Sequence, residues 1–381
     1  MLTPFLALLG IVVAVYVGYP LLVLLLAALS PRSPREGVGE GELPRVALVI
    51  PAHDEAAIIE AKLRNVLAID YPHDRLQVAV ISDGSTDDTG ARVRALLAAL
   101  GPEERGRAVL VERKERSGKS RALSEEVPKL DAEVLVFTDA NAFFRPDAIR
   151  HLVEPFADPR VGLVCGRLRY VPDAGSFMSD EELYWRYEDV IKVAEGRAGR
   201  LLVGNGSIYA LRAALFRPIP GSVADDFAMP LLVAASGQRL VYAPGAVAEE
   251  RLPAQGIENF RAKARIVTRG ATALRLYWRE VLRSGPLRVV QYLLHKVARW
   301  LMGFVLAALF VVSLAGASHP LLATALTAQV AFYLLGFAAW LLARRGPVPG
   351  LLRLPFYFLL VNAAALAGLL DFAIGRRACR R

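Results

Sequence analysis

The amino-acid sequence predicts an α/β domain with a parallel sheet, flanked by helices that cross a membrane. Short runs rich in Val, Leu and Ile recur in the middle of the chain without polar alternation, as strands covered on both faces do. Longer apolar stretches stand before and after this region. The chain is 54% hydrophobic and 22% charged, with a mean hydropathy of +0.37. We therefore expect a membrane part and a water-soluble domain.

Residues 1–30 are predicted to form an N-terminal transmembrane anchor. Pro4 to Leu29 is almost wholly apolar and is long enough to cross a hydrocarbon core of about 30 Å. A cleaved signal peptide is the alternative, but no basic residue precedes the segment and its apolar run is too long. Residues 31–42 are dense in Pro, Gly and charge, which predicts a linker.

Residues 301–381 are predicted to hold about three C-terminal transmembrane segments. The apolar stretches run from Leu301 to Ser318, from Leu321 to Ala343 and from Leu354 to Ile374. Before them, residues 271–300 mix Arg and Lys with apolar residues at helical spacing, which is typical of amphipathic helices on a membrane surface. A last helix of the soluble domain that packs on its own core is the alternative.

The basic residues near the membrane segments predict the side that the central domain faces. "PRSPR" follows the first segment, and Arg344 and Arg345 flank the later ones. The positive-inside rule then gives a multi-pass protein of the inner or plasma membrane with a cytoplasmic domain. The terminal "GRRACRR" conflicts with this topology, because four crossings would leave its charges outside. Either the last segment does not fully cross or the rule fails there.

Charge and cysteine content limit the partners. The formal net charge is +9, which favours anionic lipid headgroups, a phosphorylated substrate or nucleic acid. Cys165 and Cys379 lie far apart, and neither belongs to a CxxC or Cys/His cluster. We expect a reducing compartment and no structural disulfide. A nucleic-acid partner is the least favoured, because the basic residues gather beside membrane segments and no RNP-type aromatic motif occurs.

Polar residues follow the predicted strands of the central domain, residues 43–270. The runs "RVALVIPAHDE", "LQVAVISDGSTDDT" and "AEVLVFTDAN" each end in carboxylates or amides, and the segments between the runs have helical spacing, which predicts right-handed crossovers. Ligands of such sheets bind beyond the carboxyl ends of the strands. No GxGxxG or GxxxxGK[ST] stands at the first strand, which disfavours a dinucleotide fold or a P-loop.

Asp139 and Asn141 leave the fourth run and predict a site for a divalent cation, Mg²⁺ or Mn²⁺. Hard cations prefer carboxylate, carbonyl and phosphate oxygens, so a cation here would bridge a diphosphate. The alternative, that Asp139 caps the next helix, is weaker because Pro146 starts that helix better. "GNGSIYALR" has two glycines around Asn205, which let the backbone approach a sugar or phosphate, or only shape a turn.

Asp225 and Asp226 open an apolar helical stretch. Two acids at a helix start can be simple capping. Adjacent helical residues point about 100° apart, so we expect Asp226 to face the crevice and Asp225 to face elsewhere.

Six motifs together make the chain resemble the family 2 glycosyltransferases with the GT-A fold over most of residues 45 to 270. They are "PAHDE", "ISDGSTDDT", "GKSRAL", "TDAN", "GNGSIYALR" and "ADDFAMP". The flanking membrane segments resemble those of hyaluronan, chitooligosaccharide and poly-N-acetylglucosamine synthases. The resemblance implies that Asp139 with Asn141 takes the place of the DxD metal motif, and that Asp226 is the general base, with Asp225 beside it. The residues expected at the donor are Pro51, Ala52, Glu55, Asp83, Lys119, Asn205 and Gly206.

One departure from the family bears on the product. Polymerising members carry QxxRW after this domain, whereas "KARIVTRG" puts Lys263 at the Gln position, Ile266 at the Arg and Val267 at the Trp. Gln291 and Arg299 in "QYLLHKVARW" are too widely spaced to replace the motif. We therefore disfavour processive polymer synthesis.

The sequence predicts a membrane-anchored inverting glycosyltransferase. It would move a sugar from a nucleotide-diphosphate donor to a lipid, or to a short glycan on a lipid, at the cytoplasmic face. The alternatives are a processive polysaccharide synthase and a non-catalytic nucleotide-sugar sensor or cell-envelope scaffold. The sugar, the linkage and the oligomeric state are not readable from the sequence.

Overall fold

The computed structural model describes residues 1–30, 43–171, 182–251, 257–343 and 350–375. The predicted linker, residues 31–42, and the basic residues 376–381 lie outside the described residues. The strands are β1 (Val46–Ala52), β2 (Leu76–Asp83), β3 (Ala108–Arg113), β4 (Val134–Phe137), β5 (Ala142–Phe144), β6 (Val161–Val171), β7 (Tyr209–Arg212) and β8 (Arg239–Arg251).

Thirteen described helices surround and extend this sheet. They are α1 (Leu2–Leu29), α2 (Ile59–Leu67), α3 (Thr89–Ala99), α4 (Pro102–Gly106), α5 (Lys119–Glu126), α6 (Ala148–Val153), α7 (Glu182–Arg197), α8 (Asp225–Ala235), α9 (Ile257–Leu276), α10 (Trp278–Arg283), α11 (Pro286–Ala315), α12 (Pro320–Ala343) and α13 (Gly350–Ala373).

The eight strands form one sheet in the order β3-β2-β1-β4-β7-β6-β8-β5. The parallel prediction is correct for β1 to β4, but the sheet as a whole is mixed. Strand β7 is antiparallel to β4 and β6, and β5 is antiparallel to β8. Only residues 138–141 separate β4 from β5, which is too short for a crossover helix. Strand β5 therefore leaves the parallel set and reaches the far edge.

Helices cover both faces of the sheet, which explains the continuous apolar runs. Leu48 and Ile50 of β1 pack with α2 on one face, and Ala47 and Val49 pack with α5 on the other. All four side chains are fully buried, as expected for a central parallel strand.

The core of the sheet domain extends past the predicted domain end at residue 270. Ala273 of α9, Val281 of α10 and Tyr292 of α11 are buried in the same apolar cluster as α8. Residues 271–300 therefore hold helices that pack on the domain core, and their last part is the beginning of α11.

Four described helices are long and apolar enough to cross a membrane: α1, α11, α12 and α13. The second of them begins at Pro286 rather than at the predicted Leu301, because its first turns are anchored in the sheet domain. Arg288 donates to the Leu201 carbonyl at 3.2 Å. The length and apolar composition of these four helices are those of membrane-spanning helices.

A buried polar cluster joins the sheet domain to α1 and α11. Glu195 of α7 accepts from the Tyr19 hydroxyl of α1 and lies 2.8 Å from His295 Nδ1 of α11. Glu188 of α7 accepts from Arg299 of α11 at 2.5 Å. Burial opposes ionisation of both glutamates, but Arg299 beside Glu188, and the contacts of Glu195 with His295 and Tyr19, outweigh burial and lower the two pKa values. These pairs fix the domain against the membrane helices.

Candidate active site

Gly206 lies at the centre of a cluster of charged side chains beyond the carboxyl ends of the parallel strands. A Cβ placed on this glycine would lie 3.4 Å from Lys119 Nζ, 3.4 Å from Asp226 Oδ2 and 3.5 Å from Asp139 Oδ2. Lys119 begins α5 and Asp139 follows β4. The absence of a side chain at Gly206 leaves the space between these charges open.

Lys119 is the cation of this cluster. Its Nζ donates to Asp139 Oδ1 at 2.7 Å and lies 3.6 Å from Asp225 Oδ1. Burial by itself lowers the pKa of Lys119, but the two carboxylates outweigh burial and raise that pKa above its ordinary value. Lys119 therefore keeps its positive charge at neutral pH.

Asp225 and Asp226 begin α8 and both reach the cluster. The expectation that Asp225 faces elsewhere is wrong in part, because its Oδ1 approaches Lys119 while its Oδ2 accepts from the Tyr209 hydroxyl at 2.9 Å. The helix starts at Asp225, so both acids lie at its N-terminal end. Asp225 is buried, whereas Asp226 is half-buried. Burial and the Asp225 carboxylate raise the pKa of Asp226, and Lys119 offsets part of this rise.

The turn before β7 holds the base candidate in place. The Gly204 N–H donates to the Asp226 carbonyl at 2.7 Å, and the Asn205 carbonyl accepts from the Ile208 N–H at 2.9 Å. Asn205 Oδ1 also accepts from the Ser207 N–H at 3.5 Å. The structure thus uses Asn205 to close the turn that presents Gly206.

Asp139, Asn141 and Glu250 bring hard oxygen ligands together near Ser207. Asn141 Nδ2 donates to Glu250 Oε1 at 2.5 Å, which leaves the amide oxygen available. The Ser207 hydroxyl lies 3.2 Å from Glu250 Oε2 and 3.4 Å from Asp139 Oδ2. Burial, and next the Asp139 carboxylate, raise the pKa of Glu250 to about 7. A cation here would relieve that repulsion, so the ligand types fit Mg²⁺ or Mn²⁺.

The protein alone does not close this cation site. Within the described residues, no three His, Cys, Asp or Glu side chains are grouped so that they could hold a metal ion. Water or phosphate oxygens would complete the coordination, as they do for Mg²⁺ in phosphoryl-transfer sites.

Lys62 supports the loop that carries the two predicted metal ligands. It is fully buried on the inner face of α2, and its Nζ donates to Thr138 Oγ1 at 2.8 Å and to the Ala142 carbonyl. Asn65, one turn later, donates to the Phe144 carbonyl at 2.9 Å. The backbone on both sides of residues 139–141 is therefore tied to α2.

Four of the residues predicted to contact the donor lie at or just after the carboxyl ends of β1 and β2. Pro51 and Ala52 end β1, and Glu55 follows them. Burial, and next the Asp139 carboxylate, raise the pKa of Glu55, which is consistent with a place beside the charged cluster. Asp83 is buried at the end of β2 and accepts from the Gly118 N–H at 2.6 Å. Asp83 thus organises the loop before Lys119.

Helices α9 and α11 contact residues on both sides of the base candidate in the sequence. Arg269 of α9 donates to the Val223 carbonyl at 2.6 Å, two residues before Asp225. The Trp300 ring of α11 lies 6.1 Å from the Phe227 ring. An aromatic residue therefore stands next to α8 although QxxRW is missing from α9.

Sequence reasoning did not single out Glu250, Ser207, Tyr209, Lys62 or Arg269. Lys62 had a readable signal, because it falls on the apolar face of α2 with Ile59 and Leu63. Glu250 had none, since only the edge pairing of β5 with β8 brings it to Asn141.

Two family models match the chain. The model described as "Glycosyl transferase family 2" matches residues 47–217. The model described as "Glycosyl transferase family group 2" matches residues 134–362, which is more than half of the chain.

Curated relatives are similar over part of their length. A "Probable glycosyltransferase YdaM" of Bacillus subtilis is 25% identical over 232 residues, which cover 56% of this chain and 52% of the relative. A "Beta-monoglucosyldiacylglycerol synthase" of Nostoc is 32% identical over 126 residues, which cover 33% of this chain and 26% of the relative. The chain thus spans about half or less of these relatives.

One solved structure is similar over nearly the whole of both chains. It is the mannosyltransferase PcManGT from Pyrobaculum calidifontis, in complex with GDP-Man and Mn²⁺. It is 25% identical, covers 98% of this chain and 99% of its own, and superposes with a TM-score of 0.73. The similarity therefore includes the long apolar helices as well as the sheet domain.

Proposed function

Because this chain belongs to glycosyl transferase family 2, we propose that it is an inverting glycosyltransferase anchored in a membrane. It transfers a sugar from a nucleotide-diphosphate sugar to a lipid or a lipid-linked glycan. The observation that carries this proposal is the cluster of Lys119, Asp139 and Asp226 around Gly206. It combines a cation, a metal ligand and a base in one open crevice.

The charge balance of the crevice supports a divalent cation. The acids are Glu55, Asp139, Asp225, Asp226 and Glu250, and the described basic groups near them are Lys119, Arg269 and Lys62, whose pKa burial lowers to about 7. Such an excess of carboxylates repels a diphosphate. Asp139 and Asn141, with Glu250 beside them, would hold Mg²⁺ or Mn²⁺, which neutralises the leaving diphosphate when bound. PcManGT was solved with Mn²⁺ and a nucleotide sugar.

The protein's own groups supply the remaining chemistry. Asp226 accepts the proton of the acceptor hydroxyl while that oxygen attacks the anomeric carbon. The bond from this carbon to the diphosphate breaks on the opposite face, and the diphosphate leaves with the electron pair. A carboxylate of raised pKa is a stronger base, and the pKa of Asp226 is raised. Lys119 binds a diphosphate oxygen, and Asp225 orients Lys119 through its contact at 3.6 Å.

The lipid acceptor is inferred from the surroundings of Asp226. Arg269, Phe227 and Trp300 connect α8 directly to α9 and α11, so the base lies close to the apolar helices. The Nostoc relative carries a diacylglycerol product in its name. With the cytoplasmic orientation that the positive-inside rule gives, the donor would come from the cytoplasm and the acceptor from the adjoining leaflet.

The test is nucleotide release by the purified full chain. The protein is incubated with Mn²⁺, a membrane lipid extract and each of a panel of UDP-, GDP- and dTDP-sugars. We expect one donor to release nucleotide and to label a lipid. Asp226→Asn is the matched control. If the wild-type chain released no more nucleotide than this variant with any of the donors, the proposal would be contradicted. A ladder of long radiolabelled chains would instead favour a processive polysaccharide synthase.

A further inference from the structure

Three of the long apolar helices pack as an antiparallel bundle. A Cβ on Gly316 of α11 would come within 2.9 Å of the Met1 side chain of α1. At the other end of the same pair, the Arg299 guanidinium lies 5.8 Å from the Tyr16 ring. Helix α12 follows α11 in the same manner, through the pairs Ser313–Gln329 and Phe310–Tyr333. The position of a residue along α11 therefore gives its distance from the sheet domain along the bundle axis.

The fourth helix, α13, does not follow this order. Its Leu359 contacts Gly336 of α12, and its Leu366 contacts Gly303 of α11. If α13 ran antiparallel to α12, Leu366 would lie beside Gln329 of α12, because Leu359 lies beside Gly336. Gln329 pairs with Ser313 of α11, so Leu366 would then be level with Ser313. Gly303 lies ten residues away from Ser313 towards the sheet domain, which is roughly 15 Å along a helix. Helix α13 thus runs sideways across the bundle, and its distance from the sheet domain changes little between Leu359 and Leu366.

Helix α13 instead lies alongside α9 of the sheet domain. The contacts between the two helices occur in the same order along both. They are Lys263 Nζ to the Tyr357 hydroxyl at 3.1 Å, Thr268 Oγ1 to the Gly368 carbonyl at 2.9 Å, and the Arg275 guanidinium over the Phe372 ring at 5.3 Å. The two helices are therefore parallel and share one level.

The charged residues of α9 indicate at which depth of the membrane the two helices lie. Arg261 and Arg265 are exposed on α9, and Ile266 beside them is also exposed. Charged side chains are costly in the hydrocarbon core but favourable among anionic headgroups. Arg269 of the same helix contacts the backbone next to α8, so α9 cannot move away from the sheet domain. It belongs at the headgroup layer.

We infer that α13 does not cross the membrane but lies with α9 on the membrane surface that faces the sheet domain, as a two-helix platform for anionic lipid headgroups. The chain then crosses three times, through α1, α11 and α12. The end of α13 at Ala373 then lies on the side of the sheet domain, which is the side that the positive-inside rule favours for the basic sequence "GRRACRR". The inference rests on the membrane location proposed above and not on sugar transfer.

Cysteine labelling from one side of the membrane tests the platform. The background is the full chain with Cys379→Ser, in which Cys165 is buried. Single cysteines replace Ile374 after α13 and Ala317 between α11 and α12, which are exposed, and Glu104 in the sheet domain, which is half-buried. An impermeant maleimide is applied to right-side-out and to inverted vesicles. We expect I374C to react in the same vesicles as E104C and in the opposite vesicles from A317C.

Two other labelling patterns would contradict these expectations. Labelling of I374C together with A317C would show that α13 crosses and would overturn the inference. Equal labelling of E104C and A317C would contradict the membrane location itself. Spin labels at Leu354 and Leu370, which are each 59% exposed, give a second measurement. Similar depths support a surface helix, whereas a crossing helix would separate the labels by roughly 24 Å.

Discussion

Lys62 Nζ donates a hydrogen bond of 2.8 Å to Thr138 Oγ1, directly before Asp139. The same nitrogen donates to the Ala142 carbonyl, so one fully buried side chain holds both ends of the loop that carries the predicted metal ligands. Groups that position metal ligands change metal affinity without touching the metal.

Lys62→Met should therefore weaken Mn²⁺ binding by about 10- to 100-fold. The methionine keeps the apolar stem but has no donor for the Thr138 hydroxyl or the Ala142 carbonyl. The measurement is titration of the purified full chain with Mn²⁺ alone, with free Mn²⁺ read by electron paramagnetic resonance. Thr138→Val removes one of the same hydrogen bonds with less risk to folding and should weaken binding in the same direction.

Arg107→Met is the matched control for Lys62→Met. Arg107 is also buried and donates to a backbone carbonyl, that of Leu67, at 2.8 Å, but it precedes β3 at the opposite end of the sheet. Its loss should leave Mn²⁺ affinity unchanged. Unchanged Mn²⁺ affinity in both a folded Lys62→Met and Thr138→Val would rule out the positioning role.

Removal of the metal should stop sugar transfer. EDTA should abolish nucleotide release, and added Mn²⁺ or Mg²⁺ should restore it, because the crevice holds an excess of carboxylates. Asp139→Ala should stay inactive at saturating metal. Asp131→Ala, at an exposed ion pair with Arg45, should retain activity. Full activity in the chelator would exclude the metal role of Asp139.

Glu195→Ala should destabilise the contact between the sheet domain and the membrane helices. The substitution leaves the Tyr19 hydroxyl and His295 without their buried carboxylate, and breaking a buried pair costs about 3–5 kcal/mol. The measurement is the apparent Tm in detergent. Glu60→Ala, at an exposed pair with Arg64, should change the Tm little. Equal Tm values for the two variants would disprove a stabilising role of the cluster.

The main features of the fold were predictable because local pattern determines them. Continuous apolar runs mark β1 and β2, and polar residues at their ends predict a crevice. The route of β5 was not predictable, since its pairing with β8 is a long-range contact. Glu250 and the inward position of Asp225 depend on such contacts. The sequence left open whether α13 crosses the membrane, because its composition fits a crossing helix while the basic "GRRACRR" conflicts with a crossing.

Asp226→Asn should lower turnover by about 10² to 10⁴ while donor binding stays nearly intact, because general-base catalysis contributes that much. Asp225→Asn should cost less, since the amide oxygen can still accept from the Tyr209 hydroxyl. Transfer rate and nucleotide-sugar affinity are measured for both variants in the same membranes. A larger loss of transfer in Asp225→Asn would reverse the assignment of the base.

Asp225→Asn should also shift the pH dependence of transfer to lower pH. The base acts only when deprotonated, so the acidic limb of the kcat/KM profile follows the pKa of Asp226 in the free enzyme. Burial raises this pKa and the Asp225 carboxylate raises it further. Removal of that carboxylate lowers the pKa of Asp226, so the variant should keep its relative activity at pH values where the wild type has lost it. A limb that stays in place, or moves to higher pH, would mean that Asp225 does not act on Asp226 through its charge.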